Sequence, residues 1–120
     1  MPENRVNIIG AGLAGCEAAY FLACRGVAVN LYEQKPMKKS AAHKIDGFAE
    51  LVCSNSLKAD RISSAGGLLK AEMRKFGSIC LESADKCAVP AGGALAVNRY
   101  DFSNNIKEKI KNNDNIEVVE

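Results

Sequence analysis

The chain has little of what a metal site or a membrane span would need. His43 is its only histidine. No two of its five cysteines form a Cys-x-x-Cys pair, so no zinc ligand set is recognisable. No apolar run approaches the ~20 residues that cross a bilayer. Repeats and low-complexity segments are absent. The formal charge of +2 over 120 residues is too small to argue for nucleic acid by itself. Met1–Arg5 leads into only four mostly apolar residues, which is not the pattern of a signal peptide. Without secretion, Cys16, Cys24, Cys53, Cys80 and Cys87 read as free thiols of a reducing compartment, and a cytoplasmic protein is expected. The composition, 48% hydrophobic and 25% charged, is that of one small globular domain at most.

What is present begins with Arg5–Gly15. Val6, Ile8 and Ile9 make a short apolar run that reads as a buried parallel strand. Gly10, Gly12 and Gly15 then form a G-x-G-x-x-G, and helix formers continue from Ala14 to Arg25, with Gly26 as a stop. Such a turn assigns a role to each glycine. Gly10 permits the tight strand-to-helix turn, Gly12 leaves room for a pyrophosphate, and Gly15 lets helix and strand pack closely. The helix start offers free N–H groups and a partial positive charge to phosphates. A second strand is expected over Val27–Tyr32, ending at Glu33, eighteen positions beyond Gly15. A carboxylate there accepts hydrogen bonds from ribose hydroxyls and disfavours a 2′-phosphate, although Lys35 lies nearby. The adenosine expected in this site is that of FAD or NAD.

Glu33 and Ile116 lie 83 positions apart, far more than a simple crossover needs. The region from about 34 to 98 is therefore expected to be an insertion, mostly helical. Gln34–Lys44 carries Lys35, Lys38, Lys39, His43 and Lys44 and no acid, and reads as a surface loop or a phosphate contact. In Ile45–Asp60, Phe48, Leu51, Val52 and Leu57 are expected to bury, ahead of the polar turn Cys53–Ser56. Cys53 has the setting of a reactive thiol, at the end of an apolar run and beside hydroxyls; a small buried residue is the plainer alternative. The other four cysteines sit at helical packing positions. Ser64–Phe76 is predicted as an amphipathic helix burying Leu68, Leu69, Met73 and Phe76. Ser78–Cys87 is predicted helical, with a strand over Ile79–Leu81 as the alternative. Ala94–Val97 is a candidate strand that Gly92 and Gly93 let approach a cofactor, and Arg99 is a weak candidate beside them. A helix over Asp101–Asn112 then leads to a third parallel strand at Ile116–Glu120. The expected fold is α/β: a Rossmann-like, FAD-binding βαβ unit, the first part of a doubly wound parallel sheet.

Five stretches together resemble one family: NIIGAGLAGCEAAYFLACRG, LYEQKP, FAELVCSNSLKAD, GGLLKAEMRKFGS and VPAGGALAVNRYDFS. The chain is similar across nearly its whole length to the bacterial folate- and FAD-dependent tRNA (uracil-5-)-methyltransferases. A sister family that builds carboxymethylaminomethyl groups on anticodon uridines shares the G-x-G-x-x-G-C-E-A-A start. The methyltransferases continue for several hundred residues, so residues 1–120 are expected to be the N-terminal part of an FAD-binding domain, inactive alone and a poor binder of FAD. The resemblance implies that Gly10, Ala11, Gly12, Leu13, Ala14, Gly15 and Glu33 hold the ADP part of FAD. It implies methylenetetrahydrofolate as one-carbon donor, NAD(P)H as reductant of the flavin, and tRNA as the partner. It also matches Cys53 to the cysteine tied to the uracil chemistry, either as nucleophile at C6 or as acid/base at C5. Two other readings stand beside it: an FAD- or NAD-dependent oxidoreductase of a small substrate, and a non-enzymatic nucleotide-binding module.

Overall fold

The computed structural model describes residues 4–120. Its first unit is a parallel sheet of three strands: β1 (Val6–Ile9), β2 (Val29–Tyr32) and β6 (Ile116–Val119), in the order β1-β2-β6. Val6 pairs with Val29 and Ile9 with Tyr32, while Val29 pairs with Ile116 and Tyr32 with Val119. All three strands therefore end at one edge. Helix α1 (Leu13–Ala23) crosses from β1 to β2 and buries Cys16, Ala19 and Ala23 against the sheet. Those residues are small, so the helix can lie close. Gly26, at φ +80°, ends the helical stretch as expected.

Strand β2 is buried through Val29 and Leu31, but β1 departs from its expectation. Ile9 is 81% exposed and Val6 also faces solvent. Among the described residues β1 is an edge strand paired with β2 alone, and the apolar run that reads as a buried strand is open on its outer side. Helix α4 (Arg99–Lys111) begins two residues earlier than its periodicity suggested, because Asn98 caps it by accepting from the Tyr100 and Asp101 N–H groups. Phe102, Ile106 and Ile110 are fully buried, as their spacing predicts.

The insertion contains more strand than expected. Helices α2 (Ala65–Lys75) and α3 (Ile79–Lys86) are joined by a second, antiparallel sheet of β3 (Ser56–Ala59), β4 (Ala88–Val89) and β5 (Ala94–Val97), ordered β3-β5-β4. Only β5 is visible in the sequence. β3 is a Ser-Leu-Lys-Ala segment of low strand propensity, broken by a register shift with Lys58 at φ +69°, and pairing with β5 makes it a strand. Helix α3 takes the helical alternative for Ile79–Leu81 and buries Ile79, Cys80, Leu81 and Ala84.

Helix α2 corrects a further expectation. Leu68, Leu69 and Phe76 are 46%, 57% and 67% exposed, and Met73 alone of the four predicted residues packs on the core. The reason lies in its glycines. Gly67 is the buried residue of α2, and a Cβ there would collide with the Arg61 carbonyl group. The helix meets the domain through its small residues, so its leucines point outward.

Candidate functional site

The turn between β1 and α1 gives its three glycines different surroundings. Gly10 has φ +96°, which a side chain would strain, and its N–H donates to the Tyr32 carbonyl at 2.7 Å. Gly15 packs so tightly that a Cβ would strike the Gly10 carbonyl oxygen. Gly12 differs from both. Its φ of −78° suits any residue, and a Cβ there would meet nothing within 4 Å. Gly12 thus keeps space open rather than relieving backbone strain. Leu13 and Ala14 open α1, and no side chain caps its N-terminus.

Glu33 stands at the end of β2 on the same side as this turn, and its carboxylate accepts from the Ala11 N–H at 3.4 Å. Beside it an open cleft of about 490 Å³ is lined by Ile9, Gly10, Tyr32, Glu33, Gln34 and Val119. This is the crevice beyond the carboxyl ends of parallel strands where α/β sheets take ligands. The Ala11 carbonyl is tied from below: it accepts from the Ala49 N–H at 2.8 Å and from the Cys16 thiol at 3.4 Å. The Leu13 carbonyl accepts from the Cys80 thiol at 3.6 Å. Burial pushes both thiols up to about 12, with Glu33 adding to the effect on Cys16 and Glu17 on Cys80.

The loop after Glu33 is a surface loop, as its composition suggests, with Lys38, Lys39 and Lys44 exposed, but Lys35 departs from it. Lys35 is buried and pairs with Glu50 at 3.2 Å. That commitment occupies Lys35, which would otherwise favour a 2′-phosphate beside Glu33. Burial pushes the Glu50 carboxyl up, but hydrogen bonds from the Lys44 and Ile45 N–H groups and from Lys35 outweigh it, and the net direction is below the usual carboxylate range. Lys39 pairs with Asp46 at 2.8 Å.

Cys53 is exposed in a bend, as its polar neighbours suggest. Before it Phe48 and Leu51 bury, whereas Val52 is largely open to solvent, against expectation, because it already lies on the outward side of that bend. After it Asn55 fixes the turn to β5: its side-chain amide donates to the Val97 carbonyl at 3.1 Å, and its own carbonyl accepts from the Val97 N–H at 2.9 Å. Ser54 Oγ accepts from the Ser56 N–H. Cys16 and Cys80 are buried and Cys87 half-buried, in keeping with packing roles. Cys24 is not a packing residue. It is the exposed cap of α1, one position beyond the last buried turn.

The remaining candidates make contacts within the scaffold. Gly92 has φ +61°, and Gly93 makes room for Arg61, whose Nε would lie 2.7 Å from a Cβ at that position. Arg99 Nη1 donates to the Leu51 carbonyl at 3.4 Å. Glu17 is among the polar residues that escaped the sequence reading. The Glu17 carboxylate accepts from the Ser78 hydroxyl and, at 2.9 Å, from the Ile79 N–H, so it caps α3 from the flank of α1. The only hint in the sequence is an acid amid the small residues of α1.

The family described as glucose inhibited division protein A matches residues 5–120. The chain belongs to that family. The chain is 60% identical over 114 residues to the methylenetetrahydrofolate–tRNA-(uracil-5-)-methyltransferase TrmFO of Staphylococcus aureus strain JH9, and to that of strain Newman. The match covers 95% of this chain and 26% of those proteins. The chain thus spans about a quarter of the length of the curated relatives it matches. Among solved structures, Aquifex aeolicus GidA superposes with a TM-score of 0.74 at 17% identity, over 98% of this chain and 19% of that one. The p-nitrophenol 4-monooxygenase PnpA of Pseudomonas putida DLL-E4 gives 0.57 at 18% identity, over 97% of this chain and 30% of that one. These likenesses show that the glucose inhibited division protein A family shares its α/β fold with proteins of other chemistry.

Proposed function

We propose that this chain is the cofactor-binding N-terminal part, with its insertion at about 34–98, of a folate- and FAD-dependent tRNA (uracil-5-)-methyltransferase acting in the cytoplasm. The 60% identity over 95% of the chain to proteins of that name carries the reading. The geometry supports it. The open space above Gly12, the uncapped start of α1 and the carboxylate of Glu33 fit the pyrophosphate and ribose of FAD. When bound, the flavin supplies electrons taken from NAD(P)H to reduce a one-carbon unit delivered from methylenetetrahydrofolate.

The chain's own residues would act as follows. Gly10 and Gly15 shape the turn, Gly12 leaves the pyrophosphate its place, and the N–H groups of Leu13, Ala14 and Gly15 face it. Glu33 accepts from the ribose hydroxyls, exchanging its bond from Ala11 for theirs. Uracil C5 is a weak nucleophile, and a Cys53 thiolate adding to C6 would raise its electron density enough to take up the one-carbon unit. In the other assignment, Cys53 removes the C5 proton. Exposure of Cys53 suits either role with a macromolecular substrate.

The test uses the full-length gene product, unmodified tRNA, NAD(P)H and methylenetetrahydrofolate labelled in its methylene carbon. Label in ribothymidine at the T-arm is the expected result. Oxidation of NAD(P)H with no label in tRNA would instead favour an oxidoreductase of a small substrate, and label at the anticodon would favour the sister chemistry.

A further inference from the structure

Lys35 and Glu50 form a pair that packing alone does not require. Their side chains are 4% and 6% exposed and 3.2 Å apart. An apolar pair of similar volume would fill such a place at no loss of stability, and a buried ion pair holds only when further hydrogen bonds complete it. Here they do, since the Glu50 carboxylate also accepts from the Lys44 N–H at 2.8 Å and the Ile45 N–H at 3.3 Å. One carboxylate thus gathers three donors from two stretches of chain. Lys35 stands two positions beyond Glu33, and Glu50 stands three positions before Cys53.

The neighbours of Glu50 are fastened in the same manner. Gly47 lies against Ser103, where a Cβ would collide with the hydroxyl, and that hydroxyl donates to the Phe48 carbonyl at 2.5 Å. Ala49 takes the left-handed conformation, φ +47°, and so turns its N–H onto the Ala11 carbonyl. Arg99 holds the Leu51 carbonyl. The segment 44–51 is a strap tied through Lys35 to the chain just after β2, bonded at Ala49 to the glycine turn, and leading to the Cys53 bend.

We infer that Lys35 and Glu50 are positioning residues for Cys53: the buried pair locks the strap to the strand that carries Glu33, so that the thiol turn keeps one register against the cofactor turn. The inference rests on the role of Cys53 proposed above. It requires a carboxylate at position 50, because only an anion satisfies Lys35 and both N–H groups together.

The test compares Glu50→Gln, Lys35→Met and Lys35→Arg in the full-length gene product. Glu50→Gln and Lys35→Met are expected to leave flavin content and the KM for tRNA within about twofold and to lower kcat about tenfold or more. Alkylation of Cys53 by iodoacetamide, followed on its peptide by mass spectrometry, should become about threefold faster or more as the turn loosens. Lys35→Arg should restore both readouts. A charge swap, Lys35→Glu with Glu50→Lys, should not, since it leaves the Lys44 and Ile45 N–H groups without an acceptor. Unchanged kcat and unchanged alkylation in both disrupting variants would overturn the inference. So would a fall in kcat that merely follows loss of flavin while alkylation stays constant. If the unaltered protein transfers no one-carbon unit to tRNA, the proposed function fails, and the alkylation arm alone still decides whether the pair holds the turn.

Discussion

The glycine turn and the Cys53 turn are both short and partly open to solvent, yet they keep their shapes by different means. The glycine turn is determined by its own residues. Gly10 supplies the positive φ, Gly15 the contact with the Gly10 carbonyl, and the helix that follows starts within three positions. The Cys53 turn owes its place to residues remote in sequence: Lys35 and Arg99 hold the strap before it, and Val97 holds Asn55 after it. A motif of the first kind can be recognised from spacing. A site of the second kind is assembled only by the fold.

The comparison can be broken most directly at Cys53. In the full-length gene product, Cys53→Ala should reduce ribothymidine formation about a thousandfold or more while flavin stays bound, whereas Cys16→Ala should keep turnover per flavin within about threefold. Methyl transfer to unmodified tRNA, normalised to bound flavin, measures both. Near-normal turnover in Cys53→Ala would remove the thiol from the chemistry.

Within the glycine turn the second and third glycines should part company. Gly12→Val should lower flavin occupancy about a hundredfold while circular dichroism shows α1 intact, because the added side chain occupies ligand space and its Cβ meets no protein atom within 4 Å. Gly15→Val should instead destabilise the fold by about 3 kcal/mol, since its side chain must displace the Gly10 carbonyl. Urea midpoints and flavin content separate the outcomes, and a yellow Gly12→Val protein would refute the steric argument. A smaller loss is expected at the ribose. Glu33→Gln should weaken ADP binding about tenfold, the worth of a hydrogen bond to a charged acceptor. Titration calorimetry reads it, and an unchanged affinity would take Glu33 out of the site.

The gentlest probe is pH. Cys16 and Cys80, beneath the glycine turn, have thiols pushed from 9.0 up to about 12 by burial. The folded state binds these protons more tightly than the unfolded state. Their stability is therefore fully present below about pH 9 and is lost as pH climbs toward 12. At pH 10 each thiol should cost about 1.4 kcal/mol relative to pH 7, and Cys16→Ala should remove one share of that dependence. Urea midpoints at the two pH values test it. Equal pH dependence in the variant would show that Cys16 does not titrate in this way.

How legible the molecule was follows the same division. The parallel strands, α1, α4 and the Glu33 position were readable because each is encoded over a few neighbouring residues. Burial was less so. Ile9 reads as core but lies on an edge strand, and Leu68 and Leu69 read as core but sit opposite the glycine face by which α2 docks. β3 has no strand signal of its own and exists through β5. Lys35 reads as surface because Glu50, which makes its burial tolerable, lies fifteen positions away. Glu17 is one acid among alanines until α3 arrives with bare N–H groups to be satisfied.

The long crossover has one more consequence. Its two ends are stitched to the sheet by short bonds, Val29 N–H to the Asn115 carbonyl at 2.8 Å and Glu33 N–H to the Val119 carbonyl at 2.9 Å. The entropy of closing a chain grows only with the logarithm of its length, so spanning 83 positions rather than some two dozen costs about 1 kcal/mol. A few buried residues such as Phe48 and Ile79 offset that amount. The β2-to-β6 connection is therefore an inexpensive slot in which a parallel-sheet frame can carry a whole additional subdomain, and the second sheet, helices α2 and α3 and Cys53 all reside in it.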